Sequence, residues 1–347
     1  VRVLNYLELE GPIERSGIAT AARQQRQALR ERGVEVHTSP WGEGGRLSKI
    51  GGALTGRPIA EVDVAHCHLF GPGSVLVARR ARRRGVPVVL HAHTLRENTT
   101  GSWRGSGLVA GPLERYLRWF YSQADLVIGP SQWAVERLRE YPVEVPMEAL
   151  TNGVDVDALA GFEALRGPTR DDYDLDGTVV FAVGNVFERK GLSTFCELAL
   201  ATEYDFVWFG PYDTGPHASA AVRRWTGDPP ENVQFTGWID DIRAAYAAGD
   251  VYLFPTRSET QGLTALEAMA CGKAVVLRDL PVFREYFTDG QDCLMCDGFA
   301  EFREAIERLA DDPELRERLG DGGRETAAEH SLEAVGERLE SLYEGLQ

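Results

Sequence analysis

Short runs of β-branched and aromatic residues alternate with helix-patterned stretches along this chain, and the cycle starts twice. Parallel strands need a crossover between them, usually a helix, so this alternation predicts parallel α/β sheets. In the first half the expected strands are Val1–Leu9, Val34–Thr38, Val62–Cys67, Val86–His91 and Leu126–Gly129. Helices are expected at Gly17–Arg32, Gly73–Arg84 and Gly111–Gln123, the first two running into Arg-Gly, as a glycine-capped terminus would. After the turn-rich Thr151–Asp157 the cycle resumes, with strands Thr178–Val183, Asp205–Phe209, Val233–Thr236, Val251–Phe254 and Ala274–Leu277. Gly161–Asp176, with its Gly-Pro and clustered acids, reads as a linker.

A chain of 347 residues exceeds one ordinary core and accommodates two. The expected class is therefore α/β, with two doubly wound Rossmann-like domains at residues 1–157 and 158–331. A last helix, Leu332–Leu346, follows a break at Glu329–Ser331 and is placed to pack back on the first domain. Two such domains turn their strand C-termini, and any ligand, toward a cleft between them.

The formal charge of −16 argues against nucleic-acid binding, since a polyanion would be repelled. Only Lys49, Lys190 and Lys273 among the 37 basic residues are lysines. Acidic, arginine-rich and lysine-poor composition fits a halophilic host, although a GC-rich genome also favours arginine. No segment reaches the roughly 18 apolar residues of a membrane span. A strand is expected from Val1 onward, so no signal peptide is expected, and the location implied is cytoplasmic. Cys293 and Cys296 form a lone CxxC without a second ligand pair, so the five cysteines are expected to be reduced thiols.

The most informative segment is Phe254–Lys273, FPTRSETQGLTALEAMACGK. A buried strand ends at Phe254 and a helix is expected to start near Gln261 or Gly262, with Leu263, Leu266 and Ala270 on its apolar face and Gly272 at its end. Gly262 lets backbone approach a ligand, and the first-turn amides of Gln261, Gly262 and Leu263 suit a diphosphate. A second segment, Phe181–Leu192 (FAVGNVFERKGL), carries Arg189 and Lys190 on the loop after a strand, where cations can stabilise a leaving diphosphate. Asp171-Asp172-Tyr173-Asp174 and Asp240-Asp241 look like metal-binding acids, but a linker and a helix N-terminus account for them. Gly42–Gly45 and Gly320–Gly323 do not follow strands and make poor dinucleotide loops.

Glu259 and Glu267, separated by seven residues that include Gly262, resemble the Glu-x7-Glu motif of family-4 glycosyltransferases of the GT-B fold. The resemblance implies that Glu259 sits by the donor sugar, that Glu267 holds the ribose hydroxyls, and that Lys190 meets the diphosphate. Where the family has an arginine this chain has Asn185; Arg189 is the candidate replacement cation, the other reading of it being a solvent-facing side chain. Asn152-Gly153-Val154-Asp155 matches the family's domain-crossing turn, Gly17 after Ser16 is placed to approach the donor phosphates, and His93 in His91-Ala92-His93-Thr94 matches the histidine facing the transferred sugar. Without the resemblance, a histidine at a strand end is more often merely half-buried than catalytic.

SGIATAARQQRQAL, HAHTLRENTTGSW, YDFVWFG and VLRDLPVF narrow the resemblance to bacterial glycolipid α-glycosyltransferases acting on diacylglycerol or its glycosides. The implied reaction is hexose transfer with retention from a nucleoside diphosphate sugar, UDP-sugar favoured, to a sugar or glycolipid hydroxyl, with no metal or other cofactor. The alternatives are a sugar-nucleotide epimerase of the same fold, or a noncatalytic nucleotide-sugar-binding subunit, which Asn185 would suit. Arg79, Arg80, Arg82, Arg83 and Arg84, near Trp103, Leu108, Val109, Tyr116, Trp119, Phe120 and Tyr121, suggest peripheral contact with the anionic inner face of the cell membrane. An ordinary solvated arginine face beside a packed aromatic helix fits the same residues.

Overall fold

The computed structural model describes the chain except residues 12, 15, 41–58, 60, 96–105, 142, 216 and 217, and the side chains of 106–110. Gly42–Gly45, Lys49, Trp103, the side chains of Leu108 and Val109, and the Arg96–Trp103 part of HAHTLRENTTGSW lie outside the described residues. Two compact units are present: Val1–Arg96 with Gly111–Gly153 and Ser331–Gln347, and a second built on Val154–His330.

The first unit carries β1 (Arg2–Tyr6), α1 (Gly17–Glu31), β2 (Glu35–His37), β3 (Val64–Cys67), α2 (Pro72–Arg83), β4 (Val88–His91), α3 (Ser106–Tyr121), β5 (Leu126–Gly129), α4 (Gln132–Arg139) and β6 (Met147–Ala149). The strands pair in parallel in the order β2-β1-β3-β4-β5-β6. β3, β4 and β5 are buried throughout, as strands covered on both faces must be. Ser16 caps α1 by accepting from the Ala19 amide at 3.3 Å, and Gly33 and Gly85, both with positive φ, close the helices before them.

The second unit carries α5 (Arg166–Asp172), β7 (Val179–Val183), α6 (Leu192–Leu200), β8 (Asp205–Phe209), α7 (Ala220–Gly227), β9 (Val233–Gly237), α8 (Arg243–Ala248), β10 (Val251–Phe254), α9 (Leu263–Ala270), β11 (Ala274–Arg278), β12 (Leu294–Cys296), α10 (Phe299–Asp311) and α11 (Pro313–Glu329). Its parallel order is β12-β11-β10-β7-β8-β9, so the winding direction reverses between β7 and β10. That reversal opens a crevice outside the carboxyl ends of the two strands, the standard ligand position of an open α/β sheet.

The closing helix α12 (Leu332–Glu344) belongs to the first unit and packs against α1. Its Val335, Leu339 and Tyr343 are fully buried beside Val3, Leu29, Val64 and Val89, each burial worth roughly 1.5–3 kcal/mol. Arg32 and Glu340 pair at 2.7 Å on the rim of this contact.

Several sequence expectations need correction. Val1–Leu9 is too long for the first strand, which ends at Tyr6 and is followed by turns with Leu9 at positive φ. Gly161–Asp176 is not a linker: two 3₁₀ turns lead into α5, whose Arg166 and Arg170 pair with Asp250 at 2.6 and 3.2 Å. Gly167 and Pro168 fall in the first turn of α5, where amides lack helical partners and a proline costs nothing. Gly320–Gly323, by contrast, agrees with its reading as a poor dinucleotide loop, lying within α11 with Gly320 and Gly323 buried.

Candidate active site

The second-unit site grows from the two loops at the sheet's reversal. Gly191, at φ +87°, closes the loop after β7, and a Cβ there would collide with the Pro255 carbonyl. Glycine thereby brings this loop against the one after β10. Across the join the Arg257 amide donates to Arg189 O at 2.9 Å, and the Thr256 hydroxyl donates to the same carbonyl at 3.2 Å.

Backbone closure brings three charged side chains together. Lys190 Nζ donates to Glu259 Oε2 and lies 4.8 Å from the centroid of the Phe254 ring. Arg189 Nη1 donates to Ser258 O at 2.7 Å and lies 3.9 Å from Glu259 Oε2. The side chains of Arg189, Lys190 and Glu259 are only 13%, 18% and 12% exposed, so water screens their charges weakly. Arg189 is thus not the solvent-facing side chain that its place in a polar loop allows. Burial alone would raise the Glu259 pKa, but Lys190 and Arg189 outweigh it and hold the carboxyl below its usual range.

α9 begins one residue later than the Gln261–Gly262 start expected from sequence: Gly262 is its cap, at φ +96°, and Leu263 its first residue. A Cβ on Gly262 would lie 2.8 Å from the Phe283 ring, so conformation and space both require glycine. Gln261 is buried and Leu263 half-buried, while Ala265, Leu266, Ala268 and Met269 form the buried face of the helix; Ala270 is only half-buried. Glu267 is half-buried one turn into α9 and accepts from Tyr246 Oη at 2.6 Å. Burial pushes its pKa up to about 7, with the Tyr246 hydrogen bond opposing the rise. Asn185 is half-buried on the loop directly after Gly184, at the end of β7.

Tyr246 was not singled out by sequence, nor were Tyr252, whose hydroxyl donates to Thr264 Oγ1 at 2.7 Å, and Phe254 beneath Lys190. A tyrosine inside the alanine-rich RAAYAA helix is the one available signal, since a buried phenol requires a partner.

In the first unit Gly17 is exposed at the start of α1, with open space where a Cβ would lie. His93 follows β4 and stacks on His91 at a centroid distance of 4.0 Å and an interplanar angle of 2°. Its Nε2 lies 3.1 Å from Nδ1 of His68, which follows β3. Burial lowers the His93 pKa to about 3, so the ring is neutral at physiological pH and can act as acceptor at one nitrogen and donor at the other.

On α2 and α3, Leu76 and Trp119 are exposed, and the Arg79 guanidinium lies 5.5 Å from the Trp119 ring. Phe120 and Tyr121 are core residues and Tyr116 is half-buried, so most of that aromatic stretch faces inward. Among the described residues, no helix is long and apolar enough to cross a membrane. The cysteines, Cys293 and Cys296 included, are free and buried.

Residues 40–158 match Glycosyltransferase Family 4, and residues 177–312 match Glycosyl transferases group 1. The processive diacylglycerol alpha-glucosyltransferase of Acholeplasma laidlawii is 27% identical, the alignment covering 99% of this chain and 98% of that protein. The alpha-galactosylglucosyldiacylglycerol synthase of Streptococcus pneumoniae is also 27% identical, over 79% of this chain and 76% of that one. Anabaena Alr3699/HepE, solved in complex with UDP-glucose, superposes with a TM-score of 0.78 at 15% identity, covering 99% of both chains; at that identity the likeness bears on fold.

Proposed function

Because this chain belongs to the family-4 and group-1 glycosyltransferases of the GT-B fold, we propose that it transfers a hexose from a UDP-sugar to a glycolipid or diacylglycerol hydroxyl, with retention. The observation that carries this reading is the convergence of Lys190, Arg189 and Glu259 at the reversal of the second sheet, beside the start of α9. Lys190 and Arg189 stabilise the charge that develops on the departing diphosphate, assisted by amides at the Gln261–Leu263 turn. Held by Glu259, the Lys190 ammonium is preorganised and needs little reorientation as charge builds. Arg189 supplies the cation that Asn185 does not, which favours catalysis over a purely binding role.

Glu267 accepts from the ribose hydroxyls, Glu259 orients the sugar, Gly17 admits phosphate oxygens close to backbone, and His93 faces the sugar and the incoming hydroxyl. The acceptor attacks on the face the diphosphate leaves, its proton passing to a leaving phosphate oxygen; the anomeric carbon–oxygen bond to diphosphate breaks as the new glycosidic bond forms. This chemistry asks for no metal at the diphosphate. UDP-glucose is the favoured donor, and a glycolipid or diacylglycerol acceptor is supported by the relatives from Acholeplasma and Streptococcus.

A lipid acceptor brings the enzyme to a membrane surface, and the face with Leu76, Arg79 and Trp119 suits peripheral contact, its indole and guanidinium matching an anionic interface. The test is a thermal-shift screen of nucleotide sugars, followed by mass spectrometry of lipid extracts incubated with the best donor. A hexosylated lipid is expected; donor turnover with no acceptor-dependent product would overturn the proposal.

A further inference from the structure

Four of the chain's seven histidines meet at the carboxyl ends of β3 and β4. Each strand contributes an H-x-H pair, His66 with His68 and His91 with His93, so strand alternation sends both rings of a pair to one face of the sheet. Ring centroids are 4.3 Å apart within the first pair, 4.0 Å within the second, and 5.4 Å between His66 and His91. His66, His68 and His91 are 0%, 1% and 3% exposed.

Few of their nitrogens are satisfied. His66 Nδ1 is 2.7 Å from Tyr343 Oη on α12, and His68 Nδ1 is 3.1 Å from His93 Nε2. His66 Nε2, His68 Nε2 and both nitrogens of His91 are buried without a hydrogen-bond partner. Buried polar atoms are rarely left so, and several orphaned imidazole nitrogens in one place call for an occupant that binds lone pairs. One nitrogen from each of His66, His68 and His91 lies within 4.8 Å of the other two.

We propose that His66, His68 and His91 form a three-imidazole site for a first-row transition ion of the zinc class, its fourth position open to water. Nitrogen ligands without a carboxylate select Zn²⁺, Co²⁺, Ni²⁺ or Cu²⁺ over the hard cations Mg²⁺ and Ca²⁺. Ligation through Nε2 of His66 and His68 places the remaining ring proton on Nδ1. Those N–H groups then donate to Tyr343 Oη and His93 Nε2, the partners already present, and such outer hydrogen bonds hold ligating rings in place. Burial keeps the rings neutral, the form that binds metal. The nearby Arg26 charge is offset by its ion pair with Glu10 at 2.5 Å, and Arg26 also donates to Asn5 Oδ1 at 2.9 Å.

Zn–N bonds of tetrahedral geometry set nitrogens about 3.3 Å apart, so the rings must draw together and turn out of their stacked planes. Such turning occurs about the soft terminal torsion of histidine. The ion would tie β3 to β4 and, through Tyr343, to α12. None of Lys190, Arg189, Glu259 and Glu267, the side chains assigned to the diphosphate, sugar and ribose, is a ligand of this ion; His93, assigned to the sugar, meets it only through His68 and His91.

The test uses untagged full-length protein, stripped with chelator and titrated with Zn²⁺ or Co²⁺. One metal per chain should survive desalting, with a rise in melting temperature, a four-coordinate Co²⁺ visible spectrum and X-ray absorption scattering from three imidazoles. His91→Gln should lose the bound equivalent, and Tyr343→Phe should keep it with about 10- to 100-fold weaker affinity. Failure of the wild-type protein to retain an equivalent, a spectrum without imidazole scattering, or full retention by folded His91→Gln would each overturn the site. If His91→Gln does not fold, the wild-type absorption measurement decides.

Discussion

The Tyr246–Glu267 hydrogen bond gives the sharpest test of how the donor is held. Glu267 has a pKa of about 7, raised by burial and restrained by the Tyr246 hydroxyl 2.6 Å away. If the ionised carboxylate accepts from the ribose, UDP-glucose affinity rises with pH through about 7 and then levels off. Tyr246→Phe removes a hydrogen bond to a charged group, worth about 1.5–3 kcal/mol, which at 1.36 kcal/mol per unit raises the Glu267 pKa by roughly one to two units. Near pH 7 the affinity should then fall about 5- to 50-fold, and near pH 9 most of it should return. Titration calorimetry with UDP-glucose across that range reads the midpoint directly, because the diphosphate diester keeps its charge throughout. The same carboxyl works against folding as pH rises: its folded pKa lies above the unfolded value of about 4.3, so the native state binds more protons between the two, and stability falls there. An unmoved midpoint in Tyr246→Phe, or a loss equal at all pH values, would refute the role given to Glu267.

Lys190→Ala should lower turnover by about 10²-fold or more, measured as UDP release, because a preorganised charge stabiliser is lost. It should also lower the melting temperature by stranding Glu259, and Glu259→Gln in the same chain should restore part of it. Gly191→Ala combines positive φ with a collision at Pro255 and should cost at least about 1–2 kcal/mol in denaturant titration. The double variant Trp119→Ala, Arg79→Ala should weaken flotation with anionic vesicles at low salt while leaving UDP-glucose affinity unchanged; undiminished flotation would place membrane contact elsewhere.

Central strands and the glycine caps at Gly33 and Gly85 are legible in the sequence because continuous apolar runs such as Val179–Val183 must be buried on both faces. Edge strands β6 and β12 are not, since three partly buried residues give no period to read. α5 is hidden by a Gly-Pro pair that signals a break anywhere but a first helical turn. At the site, the spacing of Glu259, Gly262 and Glu267 is visible along the chain, as are the paired cations Arg189 and Lys190. What packs beneath them is not: Phe254 under Lys190, Ser258 O at Arg189 and Tyr246 at Glu267 depend on tertiary contacts with no local pattern. Of the two H-x-H pairs only His91-Ala92-His93 stands out along the chain, and it takes the pairing of β3 with β4 to bring His66 and His68 beside it.

A proton NMR time course on the wild-type enzyme with UDP-glucose and lipid acceptor follows donor loss and product configuration in one tube. UDP should appear in step with a glycolipid whose first-formed anomeric signal carries the small coupling of an α-glycoside. A first-formed β-glycoside, or acceptor glycosylation that proceeds equally well in Lys190→Ala, would contradict the account.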